Sequence, residues 1–422
     1  MINLNFAPNE TFSDALTSFF LLFQPWRWKR GKELQQVKSL ILKNYFNVSR
    51  SNLNVSLFFS GRSALYHLLK NLNLKQGDEV LIQAFTCEAV VLPIVALNLK
   101  PVFVDIEKKS FSINPIDLEK KLSEKSKVLI LQHTFGITPS QKDKVLSIIR
   151  KHNLVLIEDI AHGINKSNIK ISAFAKAKAD RQKSKVFKNH FYLLSFGRSK
   201  SLSSVFGGAV ITKNKTIAKK LDFFNLPYPS YSLIFKLLIY KPIVFITKLT
   251  YNIYLGKILH FFSQKFNLLI PEITKKEKGG NYDGFFNKKY PNALVILLLN
   301  QLKRFKSIQE QRKKIVNFYL KKLNNVMRST LQVSSPLIRF PLLIENRDKI
   351  IQNLAKKGIF LGRWYDNPVA PKGFPLERVG YRRGSCPVAE EVCQKIINLP
   401  TNIKLKEAEK LTKILNDVLY EN

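Results

Sequence analysis

An α/β fold is what this sequence predicts: a mixed, mostly parallel sheet covered by helices on both faces, followed by a small C-terminal α+β unit. Three observations lead there. Short apolar runs alternate with helical patterns from residue 55 to residue 212, as expected of strands buried on both faces. The chain has 422 residues, 45% of them apolar and 11% aromatic, enough for a large core and about two or three domains. Several of the expected strands end in Asp or in Ser/Gly turns, where open α/β sheets collect ligands.

Taken in order, residues 1–48 read as an aromatic and basic arm. The run Phe19–Phe23 precedes Pro25-Trp-Arg-Trp-Lys-Arg30, and Lys32 to Tyr45 is a helical stretch. Trp26 and Trp28 among cations suit a bilayer interface or a partner surface, and an arm packed on its own domain is the other reading. Residues 49–225 form the large domain. Its expected strands are Val55–Phe59, Glu79–Ile82, Pro101–Asp105, Lys127–Gln132, Leu154–Glu158, Tyr192–Ser195 and Gly208–Thr212. Helices are expected from Ser60 to about Leu72 and from Ser140 to His152. Residues 226–278 are a hydrophobic and basic insertion, split at Pro242, that reads as an interfacial helical hairpin or as an insertion packed on the body. Residues 279–330 carry one long linking helix, with Leu297, Leu298, Leu302, Phe305 and Ile308 near helical spacing. Residues 331–422 form the small domain, with a strand at Leu337–Leu343 and helices at Arg347–Lys357 and Lys404–Leu419.

The composition narrows the function classes. Lys and Arg number 69 and Asp and Glu 30, for a formal net charge of +39. That excess implies an anionic partner: phosphorylated small molecules, an anionic membrane surface or nucleic acid. No nucleic-acid motif accompanies the charge, which disfavours the last. The three cysteines, Cys87, Cys386 and Cys393, make neither a disulfide framework nor a metal-ligand spacing, so no metal site is expected and a reducing compartment is. The N-terminus has no basic region ahead of an apolar run, and a cytoplasmic protein is expected.

Three short motifs can carry chemistry. Glu158-Asp159 closes a strand and is followed by His162. An acid there can hold a charged ring nitrogen, or simply cap a helix. Ser195-Phe-Gly-Arg-Ser-Lys200 follows another strand, a loop of small residues fit for an anion with a lysine fit for carbonyl chemistry. Ser60-Gly61-Arg62-Ser63 opens a helix whose N–H groups and dipole favour a phosphate, and Arg62 adds charge. Each alone has a bland reading. Together they meet the needs of pyridoxal 5'-phosphate: a lysine for the aldehyde, a carboxylate for the pyridine nitrogen, and an anion cradle.

At this point the chain resembles the DegT/StrS sugar aminotransferases, which have the fold of the aspartate aminotransferase type. The resemblance runs through Gly77–Thr86, Lys100–Asp105, Gln132-His-Thr-Phe-Gly136, Val155–Asp159, Ser195–Lys200 and Gly207-Gly208. It continues through Asn300–Arg304 with Arg312 and Tyr319, and ends at Pro387–Glu390 and Asn398-Leu-Pro400. It implies a three-layer large domain of the PLP-transferase kind and a homodimer. Lys200 would form the Schiff base and shuttle protons, and Asp159 would pair with the pyridine nitrogen. His162 would sit near the ring hydroxyl, where the family usually has glutamine. Ser195, Gly61 and the amides of Arg62 and Ser63 would hold the phosphate, and Asn225 would reach the partner's cofactor. Cys87 stands where an aromatic residue usually stacks on the ring, and Arg62 where threonine is usual. The basic loop 164–190 and the 226–278 insertion also depart from the family.

The activity implied is a PLP-dependent aminotransferase that moves an amino group from glutamate to a nucleotide-linked keto-sugar. Two other readings stand beside it. One is a sugar dehydratase, which in the family carries histidine in place of Lys200. The other is a non-catalytic regulatory or membrane-surface protein, peripheral at the inner face of the membrane, touching anionic lipid through residues 19–30 and 229–268.

Overall fold

The computed structural model describes residues 2–3, 10–47, 52–163, 189–223, 225–323 and 335–420. The motifs named above lie among the described residues, except for most of the basic loop, since residues 164–188 lie outside them. Seven strands form the central sheet: β1 (Asn54–Phe58), β2 (Glu79–Gln83), β3 (Lys100–Val104), β4 (Ser126–Gln132), β5 (Val155–Asp159), β6 (His190–Ser195) and β7 (Gly208–Thr212). Their order across the sheet is β1-β7-β6-β5-β4-β2-β3. All neighbours run parallel except β7, which is antiparallel to both β6 and β1. The mixed, mostly parallel sheet expected from the sequence is therefore present. Every residue of β2 and β7 is buried, the pattern of strands covered on both faces.

Three helices that matter for the site and for the surface begin the chain: α1 (Phe12–Leu22), α2 (Glu33–Phe46) and α3 (Gly61–Lys70). The arm covers one face of the sheet instead of reaching away from it. Val37, Ile41, Tyr45 and Phe46 of α2 are buried there, with Phe46 against Tyr192 of β6 at 4.9 Å between ring centroids. Trp28 is buried too, its Nε1–H donating to the Leu21 carbonyl at 2.6 Å. Only Trp26 of the two tryptophans is exposed.

The insertion holds two helices, α4 (Tyr231–Thr250) and α5 (Leu255–Lys265), and the expected break at Pro242 does not occur. A proline inside a helix leaves the carbonyl four residues earlier without its donor. Here that carbonyl belongs to Leu238, and it accepts the Ser18 hydroxyl of α1 at 2.6 Å. A residue 220 positions away thus supplies the missing bond. The linking helix, by contrast, is two: α6 (Asn292–Lys303) and α7 (Phe305–Lys322), separated at Arg304. Arg304 pairs with Asp14 of α1 at 2.6 Å, which ties the break to the arm.

The small unit is built on an antiparallel pair, β8 (Arg339–Leu343) and β9 (Ile396–Pro400), with helices Arg347–Lys356, Pro387–Lys395 and Leu405–Tyr420. It is continuous with the sheet's second face: Ile82, Ile130 and Phe191 share one apolar cluster with Phe340, Leu399 and Leu411. Helix Glu88–Val95, with Pro93 inside it, has no counterpart in the sequence expectation.

Candidate active site

The strands β1, β5 and β6 bring their carboxyl ends to one side of the sheet. Asp159 is the last residue of β5, Ser195 the last of β6, and Ser60 follows β1 as the N-cap of α3. A cavity of about 540 Å³ opens there, lined by Gly61, Arg62, Cys87, Asp159, His162, Ser195 and Lys200. Seven of the residues expected from sequence therefore meet in one place. Ser63 and Asn225 do not line it; Ser63 is fully buried and Asn225 is exposed.

Both carboxylate oxygens of Asp159 are held. Oδ2 accepts Gln132 Nε2 at 2.9 Å, and Oδ1 accepts the Ala161 N–H at 3.0 Å. The acid is thereby oriented from the next strand and from its own turn. His162 accepts the Phe135 N–H on Nδ1 at 3.2 Å, which puts the ring proton on Nε2. Burial, with the positive charges of Lys200 and Arg339, holds its pKa well below the ordinary histidine value. It is a neutral donor. Lys200 Nζ lies 5.6 Å from the centre of the Trp364 ring, and that ring stacks on His162 at 5.4 Å.

The start of α3 borders the cavity. A helix's first N–H groups have no partner inside the helix. The Ser63 N–H goes to Ser60 Oγ at 3.1 Å, and Gly61 and Arg62 line the cavity. This start packs closely on the neighbouring strand: a Cβ added to Gly208 would lie 2.5 Å from the Gly61 nitrogen. The Arg62 guanidinium is occupied elsewhere. It pairs with Glu277, lies 3.7 Å from Glu88, donates to the Glu272 carbonyl at 2.8 Å and rests on Phe286 at 4.3 Å.

Several wall residues were not evident in the sequence. Glu88 is buried beside Arg62, and burial raises its carboxyl to about 7 against the opposing pull of that arginine. Cys87 is pushed up to about 12 by burial and by the Glu88 carboxylate, so it stands as a thiol. Trp364 and Tyr365 come from the small unit, and Glu272 from the end of the insertion, where it accepts the Ser199 N–H at 3.3 Å. These segments have no periodic pattern and no motif, and only chain folding carries them to the cavity. Behind the site, burial works to raise Glu158. Lys142 at 2.6 Å and the His133 and His190 rings, at 2.8 and 2.9 Å, overcome it and hold the carboxyl well below its ordinary value.

A strand-end acid, a lysine and a helix start around one cavity fit pyridoxal phosphate, since each is a group that this cofactor needs. The fold and site are those of an aminotransferase of the PLP-dependent class. The family model of the DegT/DnrJ/EryC1/StrS aminotransferases matches residues 28–227 and 275–418, and the chain belongs to that family. It is 26% identical over 397 residues to the uncharacterized protein MJ1066 of Methanocaldococcus jannaschii, covering 90% of this chain and 89% of that one. It is 28% identical over 163 residues to GDP-perosamine synthase of Vibrio cholerae, covering 38% of this chain and 40% of that enzyme. Among solved structures it is similar to NtdA of Bacillus subtilis with bound cofactor PMP. That likeness has a TM-score of 0.69 at 20% identity, over 97% of this chain and 82% of that one.

Proposed function

We propose that this chain transfers an amino group from glutamate to a keto-sugar carried on a nucleotide, with pyridoxal 5'-phosphate held in the cavity. The observation that carries the reading is that Lys200, Asp159 and the start of α3 line one cavity. When bound, the cofactor supplies an electron sink for negative charge at the substrate carbon. The protein groups do the rest. The Lys200 amine would hold the cofactor's aldehyde and would move a proton at the substrate carbon. Asp159, oriented by Gln132 and Ala161, keeps the pyridine nitrogen protonated. His162 donates its Nε2–H to the ring hydroxyl, the same service that a glutamine amide would give. Ser195 and the N–H groups of Gly61 and Arg62 hold the phosphate; Arg62 contributes its backbone, because its side chain is committed to Glu277 and Glu88.

Trp364 offers the broad aromatic face that Cys87 lacks, lining the cavity beside Lys200. The GDP-linked product named for the Vibrio cholerae relative supports a nucleotide-borne sugar. The family resemblance supports a homodimer in which the exposed Asn225 reaches the partner's cavity, and the thiol chemistry supports the cytoplasm. Lys200 itself favours amino transfer over dehydration.

The purified protein should be yellow with added cofactor and bleached by borohydride, and glutamate should convert the bound cofactor to its amine form. Lys200→Ala should abolish the bleaching and lower turnover about ten-thousandfold. A colourless wild type would end the reading. Mass spectrometry of nucleotide keto-sugars incubated with glutamate or glutamine would name both substrates.

A further inference from the structure

Two of the segments that the family match leaves out, residues 1–27 and 228–274, meet in space through their described residues. Ser18 of α1 bonds the Leu238 carbonyl of α4, and Phe12 lies 5.7 Å from Phe245; just past the first segment, Trp28 lies 5.9 Å from Tyr231. Helix α5 then folds back on α4, with Gly256 in tight contact with Thr247 and Tyr251. One helical layer results, and none of the residues of α1, α4 or α5 lines the cavity.

Two helices of this layer expose much of their apolar surface. A surface helix normally buries its apolar stripe and exposes its polar one. In α5 the buried residues are Gly256 and Ser263, while Leu255, Ile258, Phe261 and Phe262 are exposed. In α1 the buried residues are Asp14, Ala15, Ser18 and Leu21, while Phe12, Leu16, Phe19 and Phe20 are exposed, as is Phe23 at its C-cap. Apart from Ile116, Phe223 and Phe360, every large hydrophobic side chain exposed among the described residues lies within 12–26 or 231–266. Scattered apolar groups need no explanation, but an apolar field confined to one layer marks a contact surface.

The charges around the field choose the partner. The sequence has no Asp or Glu from residue 15 to 32 or from 223 to 271, yet it places Lys29, Arg30, Lys32, Lys236, Lys257 and Lys265 there; Arg27, in the first stretch as well, is paired with Glu33. Lys29 Nζ sits 4.2 Å over the Tyr231 ring and Lys257 Nζ 4.2 Å over the Tyr254 ring, so cations flank exposed aromatics. A second copy would face these cations with identical cations, the nearby Glu33 carboxylate being already paired with Arg27, because a two-fold contact matches a patch with itself. An anionic lipid surface offers both partners at once: acyl chains for the aromatics and headgroup phosphates for the lysines. No helix among the described residues is long and apolar enough to cross a membrane, which fits a layer lying in the interface.

We infer that α1 with the α4–α5 hairpin is a docking face for an anionic bilayer, holding the enzyme at a membrane surface. The inference goes beyond the amino-transfer reading and does not depend on it.

The test is flotation of the full-length protein with vesicles of phosphatidylcholine and phosphatidylglycerol, beside vesicles of phosphatidylcholine alone. The wild type should float with the mixed vesicles only, and its partition should fall about tenfold or more when salt is raised to physiological strength and above. The variant carrying Phe19→Ser, Phe20→Ser, Phe261→Ser and Phe262→Ser should lose about a hundredfold or more in partition. An unchanged melting curve would show that it is folded. Lys257→Gln with Lys265→Gln should weaken flotation severalfold on the mixed vesicles. Failure of the wild type to float with them, or equal flotation with both kinds, overturns the proposal. So does a fall in particle mass on aromatic substitution without loss of flotation, which would assign the face to a second copy.

Discussion

The cavity and the α1/α4/α5 layer have opposite polarity. At the cavity, polar groups are buried and held: Asp159 by two donors, Glu158 by three cations or rings, Arg62 by two carboxylates. In the outer layer, phenylalanines face solvent while an aspartate and serines face inward. Both arrangements oppose the ordinary partition of residues, and a fold keeps such costs where function needs them. The difference teaches that one chain can carry a chemical site that water must not flood and an adhesive face that water must be displaced from.

A buried ion pair lies within the outer layer, beside the loop that follows Lys200, and breaking it gives the largest effect expected in stability. Lys241 of α4 is wholly buried, with Nζ 2.6 Å from Glu10 and 3.1 Å from the carbonyl of Ser203, near the Lys200 loop. Lys241→Met should cost about 3–5 kcal/mol, because it leaves the Glu10 carboxylate buried without its partner. Adding Glu10→Leu should recover most of the loss. Urea midpoints of the single and double variants check this, and equal destabilisation by both would show that packing, not charge, makes the joint.

A smaller effect belongs to the cavity alone. Glu88 has a folded-state pKa of about 7 against 4.5 when free, so the folded protein keeps a proton that the unfolded chain has lost. Its contribution to stability is complete below the lower value and declines through the window between them, by at most about 1.4 kcal/mol per pH unit. Glu88→Gln should flatten this decline between about pH 5 and about pH 7. Glu158 works in the other sense, since its lowered pKa makes its contribution fade only as the solution becomes more acid than the free value. Comparing wild type and variant at the two pH values separates the carboxylates.

The smallest effect belongs to the outer layer. Phe262→Ser should change stability by no more than about 0.5 kcal/mol, as expected of an exposed side chain. A loss of several kcal/mol in thermal or urea unfolding would mean that this face packs against protein, and the contrast drawn above would collapse.

The strands were readable because a buried parallel sheet writes itself as short apolar runs, and the predicted starts of β2, β5 and β7 lie within one residue of those observed. The chemistry-bearing motifs were readable because Asp159, Ser195 and Lys200 sit at fixed short distances from strand ends. Helix α4 was misread at Pro242, since the bond that rescues it comes from Ser18. The cavity wall formed by Trp364, Tyr365 and Glu272 was illegible for the same kind of reason: none has a local pattern to announce it.

Local order in the chain, then, determined the sheet, the family, the lysine with its acid, and the excess of positive charge. Tertiary structure decided which hydrogen bonds were already spent, as at Ser63 and Arg62, and which apolar residues were left outside, as in α1 and α5. Periodicity and motif spacing report neighbours along the backbone. Satisfaction of a donor and exposure of a ring depend on groups that arrive from hundreds of residues away.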